Sequence, residues 1–477
     1  MRRRLFGWLG LAGFEAAARL AALTLGTAVF SRLLTPQDFG VSALALIVAT
    51  VAGVFVGAPF EEPIAQRKVL RMIHLRNSMG AAMAVGIALT ILSLPLGWAL
   101  ARLYGQPQIA PLLALAMAAN LFVGHSDVMT GLARRLRRFN DITTASLTGN
   151  VLGTALAVLA AFLHFGIWAL LLQRVFISVI KAATLQARLG YWVRPRWAGF
   201  ELDGIGKYAR ISLADRLMDN LTFLAFNDVV AYLYGVETLG FVNMAMRFVE
   251  PIRGAFLATS HNLAFYFFAS VQSDPPRLAG RATNALSHTT LAASPVFAGL
   301  AAVAPILLPL AAGPGWQAAI PIAVWLAAGS AIYLPARLVF TAISAAGRPQ
   351  YALIANFSAM AATIGVLVAM APFGPVGVGV SRVAGDVAQV AIATLTALPF
   401  LGWSRWRRFA PLARGWALSL AMALFVYALG GWLGGAPPWL ALAVSVVAGV
   451  VVYGLLFALF ARETLIALLA ALPRSRR

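Results

Sequence analysis

The chain has 477 residues, 61% hydrophobic and 11% charged, with no cysteine and a formal net charge of +21; its mean hydropathy is +0.83. A charged share far below the roughly 25% of soluble domains places it in a membrane, and the lack of cysteine excludes disulfide frameworks, thiolate nucleophiles and cysteine-based metal sites. The excess charge is nearly all arginine and fits membrane topology better than nucleic acid.

The amino terminus, "MRRRLFGWLGLAGF", has no small-residue cleavage site and its apolar stretch continues past Glu15 and Arg19. This predicts an uncleaved first span, preceded by a short interfacial helix with Trp8 at the headgroup level. Further apolar runs of bilayer length follow one another to the end. They predict an all-α polytopic protein with about fourteen transmembrane helices. The expected starts lie near residues 12, 40, 79, 109, 143, 166, 208, 239, 283, 318, 351, 376, 414 and 439, each to within about four residues.

Connections after even-numbered spans are basic. They hold Arg67, Lys68, Arg71 and Arg76, then Arg134, Arg135, Arg137 and Arg138, then Arg188, Arg194, Arg196 and Lys207, and so on to Arg474, Arg476 and Arg477. The intervening turns, among them "TPQD", "GVET" and "PFGPV", have no Lys or Arg. By the positive-inside rule both termini are cytoplasmic. The short external turns argue against an enzyme with its own external domain, and no paired-acid or nucleophile motif is present. The five histidines lack metal-ligand spacing.

"SRLLTPQDFG" closes the first span and "AYLYGVETLG" the seventh, 200 residues apart. Here Thr-Pro ends one helix and Gly40 allows the next to begin. Equal span counts and parity predict two six-helix lobes in parallel repeat, residues 1–207 and 208–411, with two added helices and a basic tail in 412–477.

"SRLLTPQDFGVSALALI", a long second helix and then "AQRK" resemble the start of the polysaccharide transporters of the MOP exporter superfamily. These are Wzx-type flippases of undecaprenyl-diphosphate-linked oligosaccharides. The likeness extends to the six-plus-six-plus-two plan and the basic loops, and thus covers the whole chain. Glu61 and Glu62 in "GAPFEEPIAQRK" depart from the apolar or glycine-containing run usual there. The resemblance implies a non-enzymatic, alternating-access carrier in the bacterial cytoplasmic (inner) membrane, serving exopolysaccharide, capsule or O-antigen synthesis. It implies a monomer whose partners are an anionic polyprenyl-diphosphate oligosaccharide, membrane lipids and glycan polymerase or export machinery, with no nucleic acid. Within the same architecture, a MATE-type drug antiporter and a lipid II flippase are the alternatives.

Ionisable residues inside spans cost roughly 2.5–3.5 kcal/mol each on insertion scales, so they face a cavity or a partner. Arg247, Glu250 and Arg253 share one broad face of the eighth span. Arg offers phosphate a planar fork, while a pair with Glu250 is the competing structural explanation, and one carboxylate cannot neutralise both arginines. Arg174 and Lys181 lie on one face of the sixth span, the first deep enough to reach a cavity, the second able to snorkel. In the seventh span Asp215 and Asp219 are one turn apart, a candidate H⁺ or Na⁺ coupling site, unless Arg216 pairs with Asp219. Asn220 is polar there too, and Asp228 is expected to be hydrated near the external end. Glu15 with Arg19, and Arg382 with Asp386 and Gln389, have the spacing of intrahelical ion pairs; the first and seventh spans are equivalent under the repeat, so Arg19, Arg216 and Asn220 join the substrate-facing set, and Arg382 is counted with them. No cofactor is expected beyond a coupling ion.

Overall fold

A computed structural model describes residues 2–67, 69–197, 205–271, 274–345, 348, 350–400 and 410–461. Among these, the secondary structure is fourteen α-helices and short 3-10 turns. They are α1 Arg2–Leu33, α2 Pro36–Gln66, α3 Met72–Leu103, α4 Ile109–Arg135, α5 Phe139–Phe162, α6 Trp168–Leu189 and α7 Ile205–Tyr234. Then follow α8 Val236–Ala269, α9 Pro275–Ala312, α10 Ala319–Ala345, α11 Gln350–Ala369, α12 Pro375–Phe400, α13 Ala410–Trp432 and α14 Pro438–Phe460. Ten are long and apolar enough to cross a bilayer. The protein is therefore a multi-pass, all-α membrane protein.

Two expectations change. Residues 2–33 form one continuous helix, with no separate interfacial helix before the first span. The helix after "SRLL" begins at Pro36 rather than at Gly40, because Thr35 forms a capping box: its Oγ1 accepts from Asp38 N at 3.2 Å while its own N donates to Asp38 Oδ2 at 2.9 Å. The box satisfies two end donors that the helix itself leaves free.

Gly40 has a different task. A Cβ there would lie 1.8 Å from the Val236 carbonyl oxygen, and a Cβ on Gly240 would lie 1.8 Å from that of Pro36. The first turns of α2 and α8 thus cross backbone to backbone, each glycine against the other helix's first residue. The two stretches that look alike in sequence meet in a reciprocal contact.

The chain divides into two compact units, Met1–Arg247 and Phe248–Arg477. The division falls inside α8, and α7 packs on α2 in the first unit. In that unit α4 is central, packed on α2, α3 and α6, with α5 on α6 and α1 on α5. Its core joins Val56, Phe60 and Ile64 of α2 to Met79, Val128, Leu132, Leu185 and Leu189. In the second unit α10 packs on α9 and α12, α11 on α12, and α13 and α14 on α9.

One end of the first unit gathers the basic connections, as their parity predicts. Asp141 accepts from Arg188 Nε at 2.7 Å and also from Arg138, while Arg135 donates to the Arg67 carbonyl. Glu61, buried at the end of α2, pairs with Arg134 at 3.0 Å. The unusual acid in "PFEEP" therefore tethers α2 to α4.

At the other end, Tyr104 after α3 donates its hydroxyl to Asp228 Oδ1 on α7 at 2.6 Å. Asp228, partly buried, is thus held by a protein donor. Burial, then the bond to Asp228, holds the phenol above its ordinary range near 10.0, so its stabilising contribution is intact at neutral pH and falls only as pH rises past that range. Tyr104→Phe keeps the ring and removes the donor. It should destabilise by about 1.5–3 kcal/mol, the usual value for a hydrogen bond to a charge, read as a lower melting temperature in detergent. An unchanged midpoint would reject the bond.

Candidate functional site

Each unit holds a set of cations at membrane depth. In the first unit Arg174 lies about 9 Å along α6 at 1.5 Å per residue. Its Nη1 donates to Thr50 Oγ1 at 3.0 Å, and its Nη2 donates to Asn120 Oδ1 at 2.9 Å and Ala49 O at 3.4 Å. Its Nε is buried with no hydrogen-bond partner. Every acceptor is neutral.

One heptad further along the same two helices, Lys181 Nζ lies 3.9 Å from Asp127 Oδ1. Arg174 and Lys181 are seven apart on α6, and Asn120 and Asp127 seven apart on α4, so two parallel helices carry matched rungs. Lys181 therefore pairs within the unit instead of snorkelling. Beside it His125 Nε2 and Gln186 Oε1 are 3.1 Å apart.

Small residues on α2 allow this approach. A Cβ on Gly57 would lie 1.9 Å from Asp127 Oδ2, and one on Gly53 would lie 3.1 Å from Asn120 Oδ1. Neither Asn120 nor Asp127 stands out among the polar residues weighed from sequence. "GVFVG", with its small-xxx-small spacing, and an acid inside an apolar span are the signals that point to them.

Arg247, about 17 Å along α8, closes the first unit. Its Nε donates to Asn243 Oδ1 at 3.2 Å and its guanidinium carbon lies 5.2 Å from the Phe39 ring centroid. Among the described residues neither Arg174 nor Arg247 forms an ion pair with a carboxylate.

The second unit treats its arginine differently. Arg253, 7% exposed, donates Nη2 to Asp386 Oδ1 of α12 at 3.3 Å and faces Glu250 Oε1 at 3.6 Å. Its guanidinium stacks over the Tyr333 ring at 4.3 Å. A Cβ on Gly329 of α10 would lie 2.5 Å from Asp386 Oδ2, so this glycine admits the carboxylate. Asp386 thus reaches across to α8, where it accepts a hydrogen bond from Arg253. Gln389 donates to Asn356 Oδ1 on α11 at 3.0 Å.

The remaining residues of the expected set are placed as follows. Arg19 is exposed on α1, while Asn220 on α7 and Arg382 on α12 are partly buried. The side chains of Glu15, Asp215, Arg216 and Asp219 lie outside the described residues, and the expected coupling pair with them.

Electrostatically, the second unit presents a cation closed on two carboxylates and an aromatic face. The first presents two arginines whose charge is solvated by amide, hydroxyl and π electrons. Such a guanidinium keeps its attraction for an incoming anion, whereas Arg253 must first give up a partner.

Residues 29–321 match the family described as "Polysaccharide biosynthesis protein". The succinoglycan biosynthesis transport protein ExoT of Rhizobium meliloti (strain 1021) is 26% identical over 311 residues, 64% of this chain and 62% of the relative. The lipopolysaccharide biosynthesis protein WzxC of Escherichia coli (strain K12) is 23% identical over 322 residues, 65% of this chain and 64% of the relative. The matches thus span less than two thirds of either relative. Among solved structures, the lipid II flippase MurJ in an inward closed conformation aligns with 95% of this chain and 99% of its own, with a TM-score of 0.78 at 13% identity. An inward-facing MATE multidrug resistance transporter of the MOP superfamily covers 83% of this chain and 98% of its own, with a TM-score of 0.59 at 17% identity. At these identities the likeness is one of fold.

Proposed function

Because the chain belongs to the polysaccharide biosynthesis protein family, within the MOP-superfamily polysaccharide transporters, we propose that it is a flippase for an anionic polyprenyl-diphosphate-linked oligosaccharide. It carries the head group from the cytoplasmic to the external leaflet of the bacterial inner membrane by alternating access, with both termini in the cytoplasm. The observation that supports this reading is the pair of arginines inside the helices, Arg174 on α6 and Arg247 on α8, held only by neutral partners among the described residues. A partly buried guanidinium without a carboxylate favours a diphosphate, to which it presents a planar fork of donors. The transport role printed for the relative from R. meliloti agrees with it.

A MATE-type drug antiporter is the second reading; among the described residues Asp127 and Asp386 are engaged, by Lys181 and Arg253, which favours an anionic substrate. A lipid II flippase would use the same cationic chemistry, and the sugar distinguishes the two. Coupling to H⁺ or Na⁺ through Asp215 and Asp219 is part of the proposal and rests on their spacing alone.

Arg174→Ala and Arg247→Ala should each lower transport of a fluorescent polyprenyl-diphosphate sugar in proteoliposomes about tenfold or more, the value of one hydrogen bond to a charge. Lys variants, which keep the charge and lose the fork, should fall between. Unaltered transport in both alanine variants, at normal membrane abundance, would overturn the reading.

A further inference from the structure

The connection leaving α6 is extended, pinned through its backbone and displayed through its side chains. Gly190, at φ +71°, turns the chain out of the helix, and Gln186 donates to the Tyr191 carbonyl. Val193 then plugs into the core beside Leu75, Met79 and Leu189. Arg196 N donates to the Arg76 carbonyl at 3.0 Å, and Arg76 Nε donates to the Arg194 carbonyl at 3.3 Å. A Cβ on Gly80 of α3 would lie 1.9 Å from the Arg196 carbonyl oxygen, so the strap rests directly on helix backbone.

Its sequence is "WVRPRW", residues 192–197. With a two-residue repeat, Val193 faces in while Trp192, Arg194 and Arg196 face out, and Trp197 follows them. Trp192 is 86% and Trp197 55% exposed. Arg76 is exposed beside them, and among the described residues none of Arg76, Arg194 and Arg196 pairs with a carboxylate. The strap sits where α6 ends and α3 begins, the level at which a helix leaves the bilayer.

We propose that this strap is a binding site for the phosphate of an anionic glycerophospholipid headgroup. Arg76, Arg194 and Arg196 supply the donors, and the two indoles lie at headgroup depth, where amphipathic rings are stable. The site differs from a merely basic loop because its arginines are held in register by main-chain bonds to α3. It ties the ends of α3 and α6 to one leaflet, and it stands independently of the transport reading.

The test uses the full chain in neutral detergent, titrated with dioctanoyl phosphatidylglycerol or dioctanoyl phosphatidylcholine and read by thermophoresis. Wild type should prefer phosphatidylglycerol. R194Q/R196Q should weaken it by more than tenfold, at about fivefold per arginine, and R194K/R196K should restore much of the loss. G80A retains every charge but lifts the strap, and should lose the preference as well. Equal binding of both lipids by wild type would overturn the site, and wild-type binding by G80A would overturn it in favour of bare net charge. Farnesyl diphosphate and polyglutamate form two further arms. If R194Q/R196Q loses either of these while keeping phosphatidylglycerol, the strap serves a prenyl diphosphate or an acidic protein and the proposal fails. Helicity and elution of each variant are measured alongside, and if G80A does not fold the arginine variants decide.

Discussion

Replacing Gly40 or Gly240 by alanine should in each case destabilise the protein by about 1–3 kcal/mol. Each new Cβ would lie 1.8 Å from a carbonyl oxygen in the first turn of the facing helix. That oxygen belongs to backbone and cannot rotate away, so α2 and α8 must separate or tilt. Overpacking of a well-fitted contact costs about 1–3 kcal/mol, and here the strain falls directly beside the Thr35 capping box that starts α2. Both substitutions push the same two helices apart, so the second should cost less than the first: a double-mutant cycle should show coupling of at least about 0.5 kcal/mol. The measurement is the melting temperature and monodisperse yield of each variant in detergent. A single variant that melts like wild type would show that the crossing is looser than described.

The other large effect is expected at Arg253. Removing the guanidinium with Arg253→Ala leaves Asp386, 7% exposed, without the donor it now accepts from. Breaking a buried pair from one side costs about 3–5 kcal/mol. Asp386→Ala should cost less, because Arg253 keeps Glu250 at 3.6 Å and the Tyr333 face. The double variant R253M/D386L, apolar on both sides, should recover most of the lost stability. Recovery of folding together with transport would make the pair structural; recovery of folding alone would give it a part in the transport cycle. Additive losses in the double variant would refute the pairing itself.

These two sites show what a linear reading reaches. The starts of α4, α10, α11, α12 and α14 lie within one residue of those expected from the apolar runs, since one signal, twenty or so apolar residues, both crosses a bilayer and forms a helix. α3 and α9 begin well before their expected starts of 79 and 283, at Met72 and Pro275. Hydropathy marks where lipid begins, but the backbone hydrogen bonds of a helix continue into polar turns such as "MIHLRNS" and "PPRLAGRATN". The candidate site was legible as a set of residue types at depth. Arg247 and Arg253 flank Glu250 equally in the sequence, yet of the two, among the described residues, Arg253 is found against it.

The sequence by itself determined that the chain lives in a membrane, where its helices run, and that its basic connections gather at one end of the first unit. Each of these follows from composition or from short-range periodicity, which solvent and lipid read locally. Only the tertiary structure decided which buried charges are neutralised. Asp386 meets an arginine 133 positions away, and Asn120 meets one 54 positions away. Such pairings depend on helix rotation and on the room that Gly53, Gly57 and Gly329 leave for the side chains of Asn120, Asp127 and Asp386. Intrahelical spacing says nothing of these distances, because they are set by the neighbouring helices.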